Sequence, residues 1–171
     1  MAQTTFSGPV LSQNGAGFLG SIVPGLTGLT ATTVATATTL TYAVNTITVN
    51  NYTGAAAQTV TLPAAEEGVI VVHAQSVDTT GGTAKLIFDC AGTDVLATGS
   101  VFESRATSAV TFDTSTAGET QLQYTPANAG TNLFSIGSYI YFTCVQNGTW
   151  QVSADLKSLG AGTTGAFAFA A

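Results

Sequence analysis

Few residues in this chain carry side chains that could do chemistry, and the single histidine is the first of them. His73 lies in the strand-like stretch VIVVHAQ, in register with Val69 and Val71. A general base needs a hydrogen-bonding partner, and a metal site needs further ligands within reach. The sequence shows neither beside His73, so we expect a buried or half-buried structural histidine.

The two cysteines, Cys90 and Cys144, each end an apolar strand pattern, LIFDC and YFTC. Their separation along the chain matches no zinc-ligand motif. Cytoplasmic synthesis favours two small buried thiols, because free cysteine packs like a small hydrophobic residue and disulfides are rare in that compartment. A disulfide across a sheet is the alternative.

The acidic residues form no pattern that is typical of catalysis or metal binding. Glu66 and Glu67 are adjacent in LPAAEEG, between two strand patterns, where we expect both carboxylates to point into water. Asp89, Asp94 and Asp113 do not form a calcium-binding loop. The G-x-S-x-G motif of serine hydrolases is missing as well. The sequence therefore predicts no catalytic residue, no metal site and no cofactor, and we expect that the chain is not an enzyme.

Aromatic side chains on a β scaffold can bind sugars by stacking, which makes exposed rings candidates for a glycan site. Most aromatic residues in strands instead belong to the core. The candidates in this sequence are Tyr52, Tyr124, Tyr139, Tyr141 and Trp150.

The composition is unusual in its shortage of charge. Charged residues make up 7% of the 171, against roughly 25% in a typical soluble domain. Three cations against nine acids give a net charge of −6, so no basic patch for nucleic acid or an anionic membrane is present. No apolar run is long enough for a spanning helix, and the first residues lack a signal-peptide pattern. We expect cytoplasmic synthesis, and no nucleic acid or membrane as a partner.

Short alternating strand patterns fill residues 39–157, which we interpret as one body. The 31 threonines favour strands, and Gly, Asn, Asp and Pro separate the patterns every 8–12 residues or so. GVIVVHAQ is apolar on both faces and predicts a central strand, and Asn147-Gly148 predicts a hairpin. A change of parity at Asn45 indicates a bulge or tight turn. The predicted fold is all-β, an antiparallel β-sandwich, jelly roll or barrel.

Two uncharged segments flank this body. Residues 1–38 are apolar and rich in glycine, which predicts an extended N-terminal arm that lies on another surface. Residues 158–171 form a short C-terminal arm, in which AFAFAA alternates like an edge strand. We expect its two rings to dock on a neighbouring subunit or a larger shell; folding back on the chain's own body is the alternative. The residues predicted to make these contacts are Phe6, Pro9, Val10, Leu11, Phe18, Leu19, Ile22, Phe167 and Phe169.

The opening MAQTTFSGPVLSQNG resembles the start of small virion structural proteins of tailed phages, particularly marine and cyanobacterial ones. The body has a looser likeness to phage decoration and fibre domains in QTVTLPAAEEG and NGTWQVSADL. The resemblance implies a capsid decoration, or cement, protein on the outside of the phage head. Such proteins are β-rich, often homotrimeric, and clamp neighbouring subunits of the major capsid protein. The resemblance brings no catalytic residues.

Other functions fit parts of the sequence. A fibre-associated receptor- or glycan-binding module would need exposed aromatics with polar neighbours on the body. A shell or tail-tube component is a structural variant of the decoration hypothesis. A small hydrolase would need an acid cluster or a partner for His73, which the sequence does not show.

Overall fold

A computed structural model describes residues 30–34, 39–79, 84–105, 110–126, 134–157 and 166–171. These residues form thirteen strands and no helix, so the described part contains no helix that could cross a membrane. The strands in chain order are β1 (Thr30–Val34), β2 (Thr39–Thr41), β3 (Thr46–Asn50), β4 (Gln58–Thr61), β5 (Ile70–Gln75), β6 (Leu86–Asp89), β7 (Val95–Leu96), β8 (Val101–Arg105), β9 (Val110–Thr114), β10 (Gln121–Thr125), β11 (Tyr139–Gln146), β12 (Thr149–Asp155) and β13 (Ala166–Ala170).

The strands form two main sheets, which confirms the all-β prediction. The six-stranded sheet has the order β1-β3-β5-β11-β12-β7, and the five-stranded sheet has the order β13-β10-β6-β4-β2. Strands β8 and β9 form a separate antiparallel pair. GVIVVHAQ becomes β5, which has neighbours on both sides within the six-stranded sheet, as its apolar pattern predicts.

Strand direction differs from the predicted antiparallel arrangement in the first half of the chain. From β1 to β6 the chain alternates between the two sheets, so that β1, β3 and β5 pair in parallel, as do β2, β4 and β6. Because the chain crosses to the other sheet after every strand, each return to a sheet runs in the same direction as the previous pass. Alternation of apolar residues is the same in both arrangements, so the sequence pattern cannot separate them.

The second half of the chain is mainly antiparallel. Strands β11 and β12 form a hairpin at Asn147-Gly148, where Gly148 takes a φ of 80°, so the predicted hairpin is confirmed. Strand β5 pairs antiparallel with β11, and β10 pairs antiparallel with both β6 and β13. The predicted turn at Asn45 is also confirmed, since Asn45 has a φ of 53° between β2 and β3.

The core lies between the two sheets. Phe88 of the five-stranded sheet and Phe142 of the six-stranded sheet have ring centroids 5.2 Å apart, which places the sheets face to face. Trp150, Tyr124 and Phe134 are fully buried in the same cluster. Because these inward-facing rings come from both sheets, the body is a two-layer arrangement with a single apolar interior.

Both predicted arms contribute a strand to the body. Thr30–Val34 lies within the segment predicted as the N-terminal arm, yet it pairs along its length with β3. Ala166–Ala170 lies within the predicted C-terminal arm, yet all five of its residues pair with β10. The alternating C-terminal strand could complete the edge of its own sheet as readily as that of a neighbour, which is why the sequence pattern did not separate the two. The stretch from Thr30 is low in complexity and gave no comparable strand signal.

Candidate functional site

Five polar side chains meet in the interior, where a core of this kind would be expected to be apolar. This polar cluster consists of Tyr42, Asn50, Gln58, His73 and Gln75, all less than 5% exposed. They come from both sheets or the segments beside them, with His73 and Gln75 on β5 and Asn50 on β3. Buried polar groups are costly unless they are hydrogen-bonded. Each of the five side chains makes at least one hydrogen bond to another member of the cluster, although the buried Oδ1 of Asn50 has no partner among the described residues.

The hydrogen bonds of the polar cluster form a chain in which each side chain donates to the next, from Asn50 through Tyr42 and His73 to Gln75. Both amide protons of Gln75 Nε2 are donated to backbone carbonyls, those of Tyr52 and Val77, so Gln75 Oε1 accepts from Nε2 of His73 at 3.3 Å. Asn50 Nδ2 donates to the Tyr42 hydroxyl oxygen at 3.1 Å, and also to Gln58 Oε1. The Tyr42 hydroxyl therefore donates its own proton to His73 Nδ1 at 2.7 Å. This sequence of bonds assigns the neutral Nε2–H tautomer to His73.

Burial keeps His73 neutral. Desolvation lowers its pKa to about 3, and the hydrogen bond to Gln75 offsets this only in part. Phe88 packs edge-on against the imidazole, and Phe134 stacks on it with centroids 5.2 Å apart. A fully buried histidine with both ring nitrogens in hydrogen bonds cannot reach a substrate, which confirms the prediction of a structural histidine.

The outward side of the six-stranded sheet has the opposite character. Residues that pair directly across strands share a face. One row runs from Ile47 through Val72 to Tyr141, and a second runs from Val49 through Ala74 to Tyr139. We call these six residues the outer face; they lie on the side of the sheet opposite His73, Ile140 and Phe142, which point into the interior.

Strand β3 is inverted relative to an ordinary sandwich strand. Its polar residues Thr48 and Asn50 point inward and are buried, whereas its apolar residues Ile47 and Val49 point outward and are partly exposed. The turn at Asn45 comes directly before β3, where the parity changes. The neighbouring strand β5 repeats the pattern, because Gln75 points inward and Val72 outward. At this end of the sheet, apolar residues therefore face away from the core.

Tyr139 and Tyr141 form a ridge on the outer face. Their rings stack with centroids 6.2 Å apart and planes inclined by 20°, and Tyr139 is 37% exposed. Beside this ridge, Val72 and Ala74 are small and already buried, at 5% and 7% exposed, although neither belongs to the core cluster. Continued onto β12, the second row reaches Asp155, which pairs with Tyr139 at the margin of the face and forms an ion pair with Lys157. The outer face is thus an uncharged apolar surface with a raised edge.

The predicted contact residues at the two ends of the chain have different outcomes. Phe167 is 7% exposed within the core, with its ring 4.7 Å from that of Tyr124, and Phe169 packs against the same core. This corrects the expectation that both rings dock on a neighbour: Phe167 completes the chain's own interior, and Phe169 contacts it. The other predicted contacts lie outside the described residues; they are Phe6, Pro9, Val10, Leu11, Phe18, Leu19 and Ile22.

The remaining chemical candidates are structural or solvated. Cys90 and Cys144 are buried free thiols, which confirms that interpretation over a disulfide. Glu66 and Glu67 are exposed, as predicted. Within the part of the chain that the structure describes, no three His, Cys, Asp or Glu side chains lie close enough together to hold a metal ion.

Three of the five aromatic candidates for sugar binding are in the core. Tyr52, Tyr124 and Trp150 are each no more than 3% exposed and cannot stack on an external ligand. Tyr139 and Tyr141 are the two that the structure places on the surface.

Sequence reasoning did not identify the outer face as a unit or the polar cluster as an interior feature. The signal for the outer face was present: GVIVVHAQ is apolar on both faces, and Ile47 and Val49 change parity after Asn45. The polar cluster had no comparable signal, because Asn50 and Gln58 look like ordinary solvent-facing strand residues. Comparison of the chain with models of known protein families and with curated proteins gave no match.

Proposed function

We propose that this protein is a capsid decoration, or cement, protein that binds the outer surface of a phage head. In this role it acts with copies of itself and with the major capsid protein, and it clamps neighbouring capsid subunits. The observation that carries the proposal is the uncharged outer face, on which Ile47, Val49, Tyr139 and Tyr141 are at least partly exposed, on a chain that is already poor in charge. Exposed apolar side chains that lie together on a soluble protein mark interaction sites, and charge is depleted at the centres of interfaces.

The N-terminal residues supply a second argument. The first 65 residues contain no charged side chain, and seven of the first 22 are the predicted contacts named above. An apolar segment of about 25 residues that lies on another protein would bury on the order of 1,000 Å² of surface. Ordering such a segment costs about 1–2 kcal/mol per residue, so the net gain of one copy is modest. Repetition over a shell multiplies weak contacts through avidity, which suits a clamp.

The test uses intact phage particles that contain the chain. Immunogold labelling with antibody against the body should cover the whole head surface, because a decoration protein repeats over the lattice. Labelling confined to the tail or its fibres would overturn the proposal. On heads stripped of the protein, full-length chain should rebind, whereas the variant Phe18→Ser/Leu19→Ser/Ile22→Ser should not. The body variant Val44→Ser, at an exposed position, is the matched control and should rebind.

A glycan-binding module of a phage fibre is the second candidate, and the stacked pair Tyr139 and Tyr141 favours it. Exposed parallel rings beside polar residues can stack on sugar faces, and Ser153 and Thr143 lie next to this pair on the same side of the sheet. Binding to a glycan array that is lost in Tyr139→Ser/Tyr141→Ser, together with fibre-restricted labelling, would favour this candidate over decoration.

A further inference from the structure

The hairpin turn at Asn147-Gly148 is attached to the loop of residues 62–69 through the two groups that react in the spontaneous deamidation of asparagine. The side-chain oxygen Oδ1 of Asn147 accepts a hydrogen bond from the backbone N–H of Glu67 at 2.8 Å. The backbone N–H of Gly148 donates to the carbonyl of Ala65, also at 2.8 Å. Asn147 is exposed, so water reaches its side chain while the reacting groups are held in place.

Deamidation joins the side chain of an asparagine to the backbone nitrogen of the next residue. Glycine favours this step at Asn147, because it has no Cβ to hinder the approach. The nitrogen of Gly148 loses its proton to hydroxide and forms a bond to Cγ of Asn147. The Cγ–Nδ2 bond breaks, and Nδ2 takes a proton from water and leaves as ammonia. A second water opens the five-membered succinimide at either carbonyl, which gives aspartate or isoaspartate.

We infer that Asn147 is a deamidation site that the fold holds closed, and that it reacts when the hairpin separates from the 62–69 loop. The Gly148 nitrogen cannot lose its proton while that proton is bonded to the carbonyl of Ala65, a residue that is 5% exposed. The carbonyl of Gly148 is fixed as well, because it accepts from the N–H of Val95 at 3.0 Å. The inference concerns the body alone and does not depend on head binding.

Asp94 is the positioning residue of this closed state. Its Oδ2 accepts from the N–H of Ala65 at 2.7 Å, and a Cβ at Gly148 would lie 3.8 Å from its Oδ1. Ala65 therefore connects the carboxylate of Asp94, through its N–H, to Gly148, through its carbonyl. Asp94 acts on the reaction through Ala65, because it fixes the carbonyl that holds the Gly148 proton.

Deamidation would change this end of the body permanently. It replaces a neutral amide by a carboxylate, so the net charge goes from −6 to −7. The new charge would lie close to Asp94 and to the exposed Glu66 and Glu67, which repel it. Isoaspartate also adds a carbon to the backbone of a turn whose length sets the register of β11 and β12. Since neither product returns to asparagine, a transient opening leaves a lasting change.

The experiment incubates the full-length chain at mildly alkaline pH, in buffer and in urea, and follows deamidation by peptide mass mapping. The sequence has a second Asn-Gly pair, Asn14-Gly15, whose rate in urea is the reference for the unfolded chain. In urea, Asn147 should react about as fast as Asn14. In buffer, Asn147 should react about thirtyfold more slowly than in urea, because two hydrogen bonds of ordinary strength must open first. Equal rates for Asn147 in buffer and in urea would overturn the inference.

Two variants test the part of Asp94. Asp94→Ala removes the acceptor for the N–H of Ala65 and should raise the rate at Asn147 in buffer about fivefold, with the rate in urea unchanged. Asp94→Asn keeps an acceptor oxygen and should react like the unsubstituted protein. An alanine variant that reacts no faster than the asparagine variant would show that Asp94 does not position this site.

Hydrogen exchange of the unsubstituted protein covers the case in which Asp94→Ala does not fold. The backbone N–H groups of Glu67 and Gly148 should both exchange about thirtyfold more slowly than in the unfolded chain, which matches the protection of Asn147, because one opening exposes all three. N–H groups that exchange at the unfolded rate would contradict the closed state.

Discussion

The hydroxyl of Tyr42 donates a hydrogen bond of 2.7 Å to Nδ1 of His73 between the two sheets. Both side chains are at most 2% exposed, and the bond joins the five-stranded sheet, where Tyr42 follows β2, to the centre of the six-stranded sheet. Because an imidazolium has no free lone pair, protonation of His73 would remove this bond as well as place a charge in the core.

Acid should therefore destabilise the protein through His73. Its pKa is about 3 in the folded chain and near 6.5 in the unfolded chain, so the unfolded state binds the additional proton between these values. Stability is full above pH 6.5 and falls as the pH drops towards 3, by at most about 5 kcal/mol. Urea unfolding at a series of pH values should show this loss. His73→Gln should lack it, once the carboxylates that both proteins share are subtracted; identical profiles would contradict the prediction.

The polar cluster predicts a large effect at a residue that looks ordinary in the sequence. Asn50→Ala removes the amide that donates to both Tyr42 and Gln58, and so takes this donor away from the buried Oε1 of Gln58. We expect a loss of about 1–3 kcal/mol in the free energy of unfolding. Gln146→Ala removes an exposed amide from the same sheet and should change stability by less than about 0.5 kcal/mol. Equal effects for the two variants would show that the cluster contributes little.

The sequence predicted some of this fold well and other parts poorly, for physical reasons. Asn147-Gly148 specifies a hairpin locally, and the run through Val71 and Val72 requires burial on both faces, so both predictions succeed. Parallel pairing depends on where the chain goes after each strand, and alternation does not encode that. Asn50 is polar in a strand, and burial of such a residue is decided by its partners in space, which lie on other strands.

Strand β13 offers a direct test of whether it packs within its own chain or against another copy. Phe167 is buried among the rings of Tyr124 and Phe134, so Phe167→Ala should lower the free energy of unfolding by about 3–5 kcal/mol. The neighbouring Ala168 is exposed, and Ala168→Ser should cost less than about 0.5 kcal/mol. The loss at Phe167 should be independent of protein concentration, because the ring packs within its own chain. A loss that grows on dilution would place the ring against another copy.

The two thiols should be unreactive until the protein unfolds. Burial raises the pKa of Cys90 to about 12, so only about one molecule in ten thousand carries the thiolate at pH 8. Cys144 is 1% exposed, and its Sγ donates to the backbone carbonyl of Gln146 at 3.1 Å. Ellman's reagent should detect almost no thiol in the native protein and both thiols in denaturant. A thiol that reacts in the folded state as fast as in denaturant would contradict the burial described here.

We predict that the turn at Asn45 decides which side of β3 faces outward, and a pair of substitutions tests this. Its φ of 53° is a region that asparagine tolerates and alanine does not, and its Oδ1 accepts a hydrogen bond from the backbone N–H of Ile70 at 3.1 Å. Asn45→Gly keeps the backbone conformation but loses the bond, and should cost about 1 kcal/mol. Asn45→Ala loses the bond and adds about 1–2 kcal/mol of backbone strain, so it should cost about 2–3 kcal/mol. Urea unfolding of the two variants gives the comparison. Since loss of the bond is common to both, an alanine variant as stable as the glycine variant would mean that the turn relaxes, and that the parity of Ile47 and Val49 is set by the sheet rather than by Asn45.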